Sequence, residues 1–150
     1  MESIIFTELG LGILVSGVCA TIQSATLLAL FSLLMRYFDR GENRFSMIVN
    51  NTIVLGIVWV LAMMHLVQVG IWAAVFRYLG CFQSFYQALY FSLMTYSTVG
   101  YGDLVAPDAW KLFCGVEAIM GVLMFGWSAS FLFGTLSQFY KIRLLRHENR

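Results

Sequence analysis

Charge is scarce in this chain. Only 11% of its 150 residues are Asp, Glu, Lys or Arg, against 60% hydrophobic ones. Soluble domains carry about 25% charged residues to keep their surfaces in water. A chain so poor in charge would expose more apolar surface than a soluble monomer tolerates, so that class is excluded and a bilayer is implied. The net charge is +1, and no clustered basic excess marks a nucleic-acid partner. Proline occurs once and cysteine three times. Cys19, Cys81 and Cys114 share no metal-ligand spacing and are odd in number, so they are expected to act as small apolar residues. Internal repeats, low-complexity segments and flexible linkers are absent too. At this length one domain is expected. No cleavable signal peptide is expected either, because Glu2 and Glu8 precede an apolar run too long for a signal core.

What the chain does have is long apolar runs. A membrane-crossing helix needs roughly 20 mostly apolar residues at 1.5 Å each, and residues 9–35, 47–76 and 110–140 qualify. Residues 80–108 are apolar but too short and too broken to cross. They divide into a helix-like run, 82–97, and an extended piece with glycines, 98–103. Polar joints support these bounds: a charged hairpin over 36–44, Pro107 before the third span with Asp108 as its expected N-cap, and a basic tail over 141–150. The chain is thus expected to divide at 1–46, 47–140 and 141–150. Lys and Arg are retained on the cytoplasmic side. Arg36, Arg40 and Arg44 in the hairpin, with Lys141, Arg143, Arg146 and Arg150 in the tail, outnumber Arg77 and Lys111 on the other face. Hairpin and C-terminus are therefore expected in the cytoplasm, with residues 80–108 dipping in from outside. Three spans then put the N-terminus outside, with Glu2 and Glu8 as a short acidic tail. A first helix lying along the membrane is the alternative.

Irregular backbone at membrane depth is tolerated only where protein shields it or where it lines a water-filled cavity. In the extended piece Gly100 and Gly102 alternate with larger residues, and glycine takes dihedrals closed to other residues. Successive carbonyls can then point one way, toward a central axis. Rings of carbonyl oxygens replace the hydration shell of a monovalent cation, and the Thr98 hydroxyl adds one more oxygen layer.

The run Ala-Leu-Tyr-Phe-Ser-Leu-Met-Thr-Tyr-Ser-Thr-Val-Gly-Tyr-Gly-Asp over residues 88–103 resembles the pore region of the potassium channel superfamily. Thr-Val-Gly-Tyr-Gly is the filter loop by which such channels are known, so potassium is named here by likeness and not from geometry. The resemblance covers about residues 47–140, as outer helix, pore helix, filter and inner helix; the first span lies outside it. It implies an all-α membrane protein with three transmembrane helices, a re-entrant pore helix and a selectivity-filter loop. It also implies that the carbonyls of Thr98, Val99, Gly100 and Tyr101, with the Thr98 hydroxyl, coordinate potassium ions, supported by Gly102 and Asp103. One loop per chain against a filter of four implies a homotetramer. Passive potassium conduction is expected, with no catalysis, no organic cofactor, and membrane lipids as the other partners.

Some positions depart from the family or stand out within the spans. Where some members carry an acid that bonds the filter Asp from behind, this chain has Met94. Tyr90, Phe91 and Tyr96 resemble the aromatic cuff that braces the filter, though ordinary aromatic packing would look the same. Glu117 is an acid well inside a predicted span, and such acids default to a functional hypothesis; pairing with the pore or outer helix competes with tuning of the filter. His65, Gln68, Asn50 and Asn51 read as polar glue between helices, with pH sensing by His65 the sharper option. Gly126, Ser130, Gly134 and Gln138 recur every four residues on one face of the third span. That stripe suits close helix packing or a wide cavity, and Gly121 or Gly126 is the candidate hinge. No span carries a voltage sensor's repeated arginines, so opening is expected to be controlled within the pore itself or by the lipid around it. Two places offer themselves: the filter, leaning on Glu117, and an inner mouth formed by Phe131, Phe133 and Phe139. The filter is favoured. Lys141, Arg143 and Arg146 can also meet anionic head groups. Competing functions are a weakly selective cation channel and a non-conducting membrane subunit that keeps the loop as a relic.

Overall fold

Apolar residues occupy every face of the three long runs, a pattern that belongs to helices surrounded by protein or lipid rather than by water. The computed structural model describes residues 2–39 and 47–148, and these form an all-α fold. There are three long helices, α1 (Glu2–Asp39), α2 (Met47–Tyr78) and α4 (Lys111–Glu148), and one short helix, α3 (Phe85–Tyr96), that packs on α2 and α4. Each long helix holds a segment apolar and long enough to cross a bilayer: Ile5–Phe38, Val49–Tyr78 and Asp108–Lys141. Residues 40–46 of the expected hairpin, and 149–150 of the expected tail, lie outside the described residues.

Three bounds differ from the sequence reading. The first helix begins at Glu2, so Glu8 sits inside it and not in an acidic tail. The last helix passes through residue 140 and runs on to Glu148, since the residues beyond Tyr140 include neither Pro nor Gly to stop it. The short helix is tighter than 82–97, because Ser84 caps it and Ser97 closes it.

Contacts along the chain fix how the helices run. Glu8 Oε2 accepts from the backbone N–H groups of Leu112 at 3.0 Å and Phe113 at 3.3 Å. A Cβ on Gly12 would meet Val116 at 3.0 Å, Gln23 reaches Ser128, and the Phe38 and Phe139 rings lie 5.4 Å apart. So α1 lies parallel to α4 along most of its length. It is a member of the bundle and not a helix set apart from it. Helix α2 runs antiparallel to both, with Phe76 and Trp72 against Phe113 at the start of α4 and Asn50 accepting from the Tyr37 hydroxyl near the end of α1. The expected cap of α4 needs correction. Asp108 opens a 3-10 turn, Asp108–Trp110, and its carboxylate pairs with Lys111 at 2.6 Å; Glu8 takes the open N–H groups instead.

Two apolar clusters hold the bundle. One gathers Val15, Cys19, Trp72, Phe76, Phe82, Phe91 and Phe113 at the end where α4 begins. The other gathers Leu27, Leu30, Leu34, Ile57, Leu61, Met64 and Phe139 toward the opposite end. Between them lies a layer of buried polar side chains: Gln23, His65, Gln68 and Ser128.

Candidate functional site

The short helix is locally encoded. Ser84 and Gln87 form a capping box, each side chain taking the other's backbone N–H, which satisfies donors the first turn leaves open. Its buried face, Ala88, Phe91, Ser92 and Tyr96, packs on α2 through Phe91 against Phe76 and on α4 through Ser92 and Tyr96. From its start beside Phe82 it runs to mid-bundle, and residues 98–106 lead back to the end it came from.

At its foot the backbone changes character. Thr98, Gly100 and Gly102 have positive φ of 60°, 51° and 76°, and no other residue between Gly80 and the C-terminal end of the described chain does. Alternating φ sign along consecutive residues turns successive carbonyls toward one side, where an extended strand would alternate them. Positive φ costs glycine little. Thr98 is the one described non-glycine residue in this region of dihedral space, and a β-branched side chain there is strained. The loop is tied to the helix it leaves: Thr98 N–H donates to the Thr95 carbonyl at 3.0 Å and Gly100 N–H to the Met94 carbonyl at 3.1 Å. A Cβ on Gly100 or Gly102 would meet nothing within 4 Å, so dihedral angle and not space demands glycine there. In the single chain Val99 is 50% and Tyr101 73% exposed.

The structure places the supporting residues as follows. Asp103 accepts from the Tyr90 hydroxyl at 2.8 Å. That bond holds the Tyr90 phenol above its ordinary range, and it supplies from α3 a tether that Met94 cannot give. Tyr96 is buried and donates to Gln68 Oε1 at 2.5 Å. Glu117 is fully buried, with the Ser92 hydroxyl on its Oε1; Ser92 Oγ also lies 3.1 Å from the Val69 carbonyl. Glu117 therefore pairs with the short helix, while its Oε2 has no partner among the described residues.

On α4 the candidates separate. Gly121 is buried, and a Cβ there would lie 2.0 Å from the Tyr96 carbonyl oxygen. It is the point where α4 meets the foot of α3, and α4 runs unbroken through both candidate hinges, Gly121 and Gly126. Gly126, Ser130 and Gly134 are exposed on the single chain. Phe139 is buried against Tyr37 and Phe38, so it does not join a free ring of phenylalanines at an inner mouth; Phe133 is 74% exposed.

The sequence reading missed Glu8 as a cap, Tyr90 as the partner of Asp103, and Gln23 altogether. The signal for Glu8 and Gln23 was available, since polar residues inside an apolar run mark interior contacts. Among the described residues no group of three or more His, Cys, Asp or Glu is placed to hold a metal ion.

In comparison with protein families, a family described as ion channel matches residues 64–138. That stretch takes in the second half of α2, all of α3, the loop after it and most of α4, and leaves α1 outside. Neither curated proteins nor solved structures give a match.

Proposed function

The chain belongs to the ion channel family, and on that premise we propose that it is the subunit of a potassium-selective channel whose filter is Thr98 to Asp103. The observation that carries this reading is the alternation of positive φ at Thr98, Gly100 and Gly102 in a loop reading Thr-Val-Gly-Tyr-Gly-Asp. The carbonyls of Thr98, Val99, Gly100 and Tyr101 form successive layers that replace water around a passing potassium ion, and the Thr98 hydroxyl adds the innermost oxygen. Helix α3 ends just below, and the partial negative charge of its C-terminal carbonyls favours a cation there. Conduction is passive, without catalysis or organic cofactor.

One loop walls one side of an ion path, so four copies surround it. The exposure of Val99 and Tyr101 on the single chain suits residues that meet neighbouring copies or the ion path. Gly126, Ser130 and Gly134 then line the cavity below. Residues 80–110 face outside with the N-terminal end of α1, because Glu8 holds that end to the start of α4. Arg36 and Lys141 lie at the other end, which the positive-inside rule assigns to the cytoplasm.

Purified protein in liposomes tests this reading. A potassium gradient should drive flux through wild type, sodium flux should be far smaller, and Gly100→Ala should abolish the potassium-selective flux. Equal sodium and potassium flux through wild type would instead favour a weakly selective cation channel. No flux of either ion would favour a non-conducting subunit.

A further inference from the structure

Five buried side chains from all four helices form a closed ring of hydrogen bonds at mid-bundle. Tyr96 O–H donates to Gln68 Oε1 at 2.5 Å. Gln68 Nε2 donates to Gln23 Oε1 at 3.0 Å, and Gln23 Nε2 donates to Ser128 Oγ at 3.0 Å. Ser128 Oγ lies 3.0 Å from His65 Nε2, and His65 Nδ1 lies 3.2 Å from the Tyr96 oxygen, which closes the circuit. Gln23 comes from α1, His65 and Gln68 from α2, Tyr96 from α3 and Ser128 from α4.

The sense of the ring is fixed by its outer contacts. The second amide proton of Gln68 reaches the Cys19 carbonyl at 3.4 Å, and that of Gln23 reaches the Met124 carbonyl at 3.3 Å. Backbone carbonyls only accept, so neither amide can be turned over. Tyr96 has one proton and spends it on Gln68, so its oxygen accepts from His65 Nδ1–H. The other imidazole nitrogen then accepts the Ser128 proton, and Ser128 accepts from Gln23. Every member donates once and accepts once around the circuit. Such a network is strong when complete, and losing one member leaves buried neighbours unpaired.

Its position gives it a function. Tyr96 is the last residue of α3, two residues before the strained Thr98, and its own carbonyl is pressed against Gly121 of α4. The foot of the pore helix is therefore held at its hydroxyl by the ring and at its backbone by α4. Gln23 is the ring's only member on α1, which lies outside the family match at residues 64–138. We propose that Gln23 is a positioning residue for the ion filter, acting through Gln68 and Tyr96, so that α1 is a working part of the pore and not only its wrapping. This rests on the reading of Thr98 to Asp103 as the filter.

The test compares potassium-over-sodium permeability ratios, which do not depend on how many channels fold. The variants are Gln23→Met, Tyr96→Phe, Ser128→Ala and the pair Gln23→Met with Tyr96→Phe, with Gly100→Ala alongside. Breaking one ring at different members should give one common effect: each single variant lowers the ratio by about tenfold, and the pair lowers it by no more than either alone. A wild-type ratio in Gln23→Met would overturn the proposal, as would effects that multiply in the pair. If Gln23→Met does not assemble, Ser128→Ala decides, since it deletes one ring oxygen and nothing else; an unchanged ratio there also overturns the proposal. Gly100→Ala separates the two claims. Should it keep the wild-type ratio, the filter reading fails; should it lose selectivity while the ring variants keep theirs, only the role of Gln23 fails.

Discussion

At the scale of single residues, the demand for glycine in the loop was legible and the partner of Asp103 was not. Gly100 and Gly102 stood out because glycine alternating with larger residues is a demand on dihedral angle, and the observed φ values meet that demand, while the positive φ of Thr98 was not foreseen. The tether of Asp103 was hidden because its partner, Tyr90, sits 13 residues back, across a turn whose path no local rule gives. Met94 marked the loss of an acidic brace but not what stands in for it. We expect Tyr90→Phe to leave assembly intact and to shorten channel openings. The lost bond is open to solvent, so the effect should be roughly fivefold at most in single-channel dwell times. Unchanged dwell times would mean the bond carries no load in the filter. Glu117 tests where the gate lies. With its carboxyl against Ser92 on the pore helix, Glu117→Gln should change open probability, while Phe133→Ala, at an exposed position away from the filter, should not. The reverse pattern in single-channel records would move the gate to the inner mouth.

At the scale of elements, helix existence was readable and helix contact was not. Runs of apolar residues announced three spans, but the capping box of Ser84 and Gln87 went unread, so the start of α3 was set three residues early. Glu8, by contrast, looked like part of a solvent-facing tail, because its partners Leu112 and Phe113 lie over 100 residues away. Asp108 looked like a cap because it precedes an apolar run; a lysine three residues on takes it instead. Gly121 shows the same limit. A glycine mid-helix suggests a hinge, yet here it admits the Tyr96 carbonyl at a distance no Cβ allows. We expect Gly121→Ala to push α4 from the foot of α3 and to destabilise the protein by about 3 kcal/mol or more, the upper range for overpacking. Gly10→Ala, with nothing within 4 Å, should cost little. Thermal unfolding of both variants in detergent checks this, and equal melting temperatures would dismiss the close contact.

At the scale of the whole molecule, the sequence reading placed the chain in a bilayer through composition, and the structure adds how the first span belongs. Helix α1 was readable as a span but its register against α4 was not, since that depends on Glu8, Gly12 and Gln23 meeting residues far along the chain. The proposed assembly follows from one filter loop per chain, and we expect the detergent-purified protein to weigh four copies by light scattering. An N-terminal tag should be reached from outside the cell and a C-terminal tag only from within; a tag pattern with both termini on one side would contradict the parallel packing of α1 and α4. The most direct measurement of the central claim is the reversal potential of purified channels in a planar bilayer, with potassium on one side and sodium on the other. Potassium selectivity through Thr98 to Asp103 predicts a potential displaced far from zero in the direction that potassium carries, lost in Gly100→Ala. A potential near zero in wild type, or one that survives unchanged in Gly100→Ala, would contradict it.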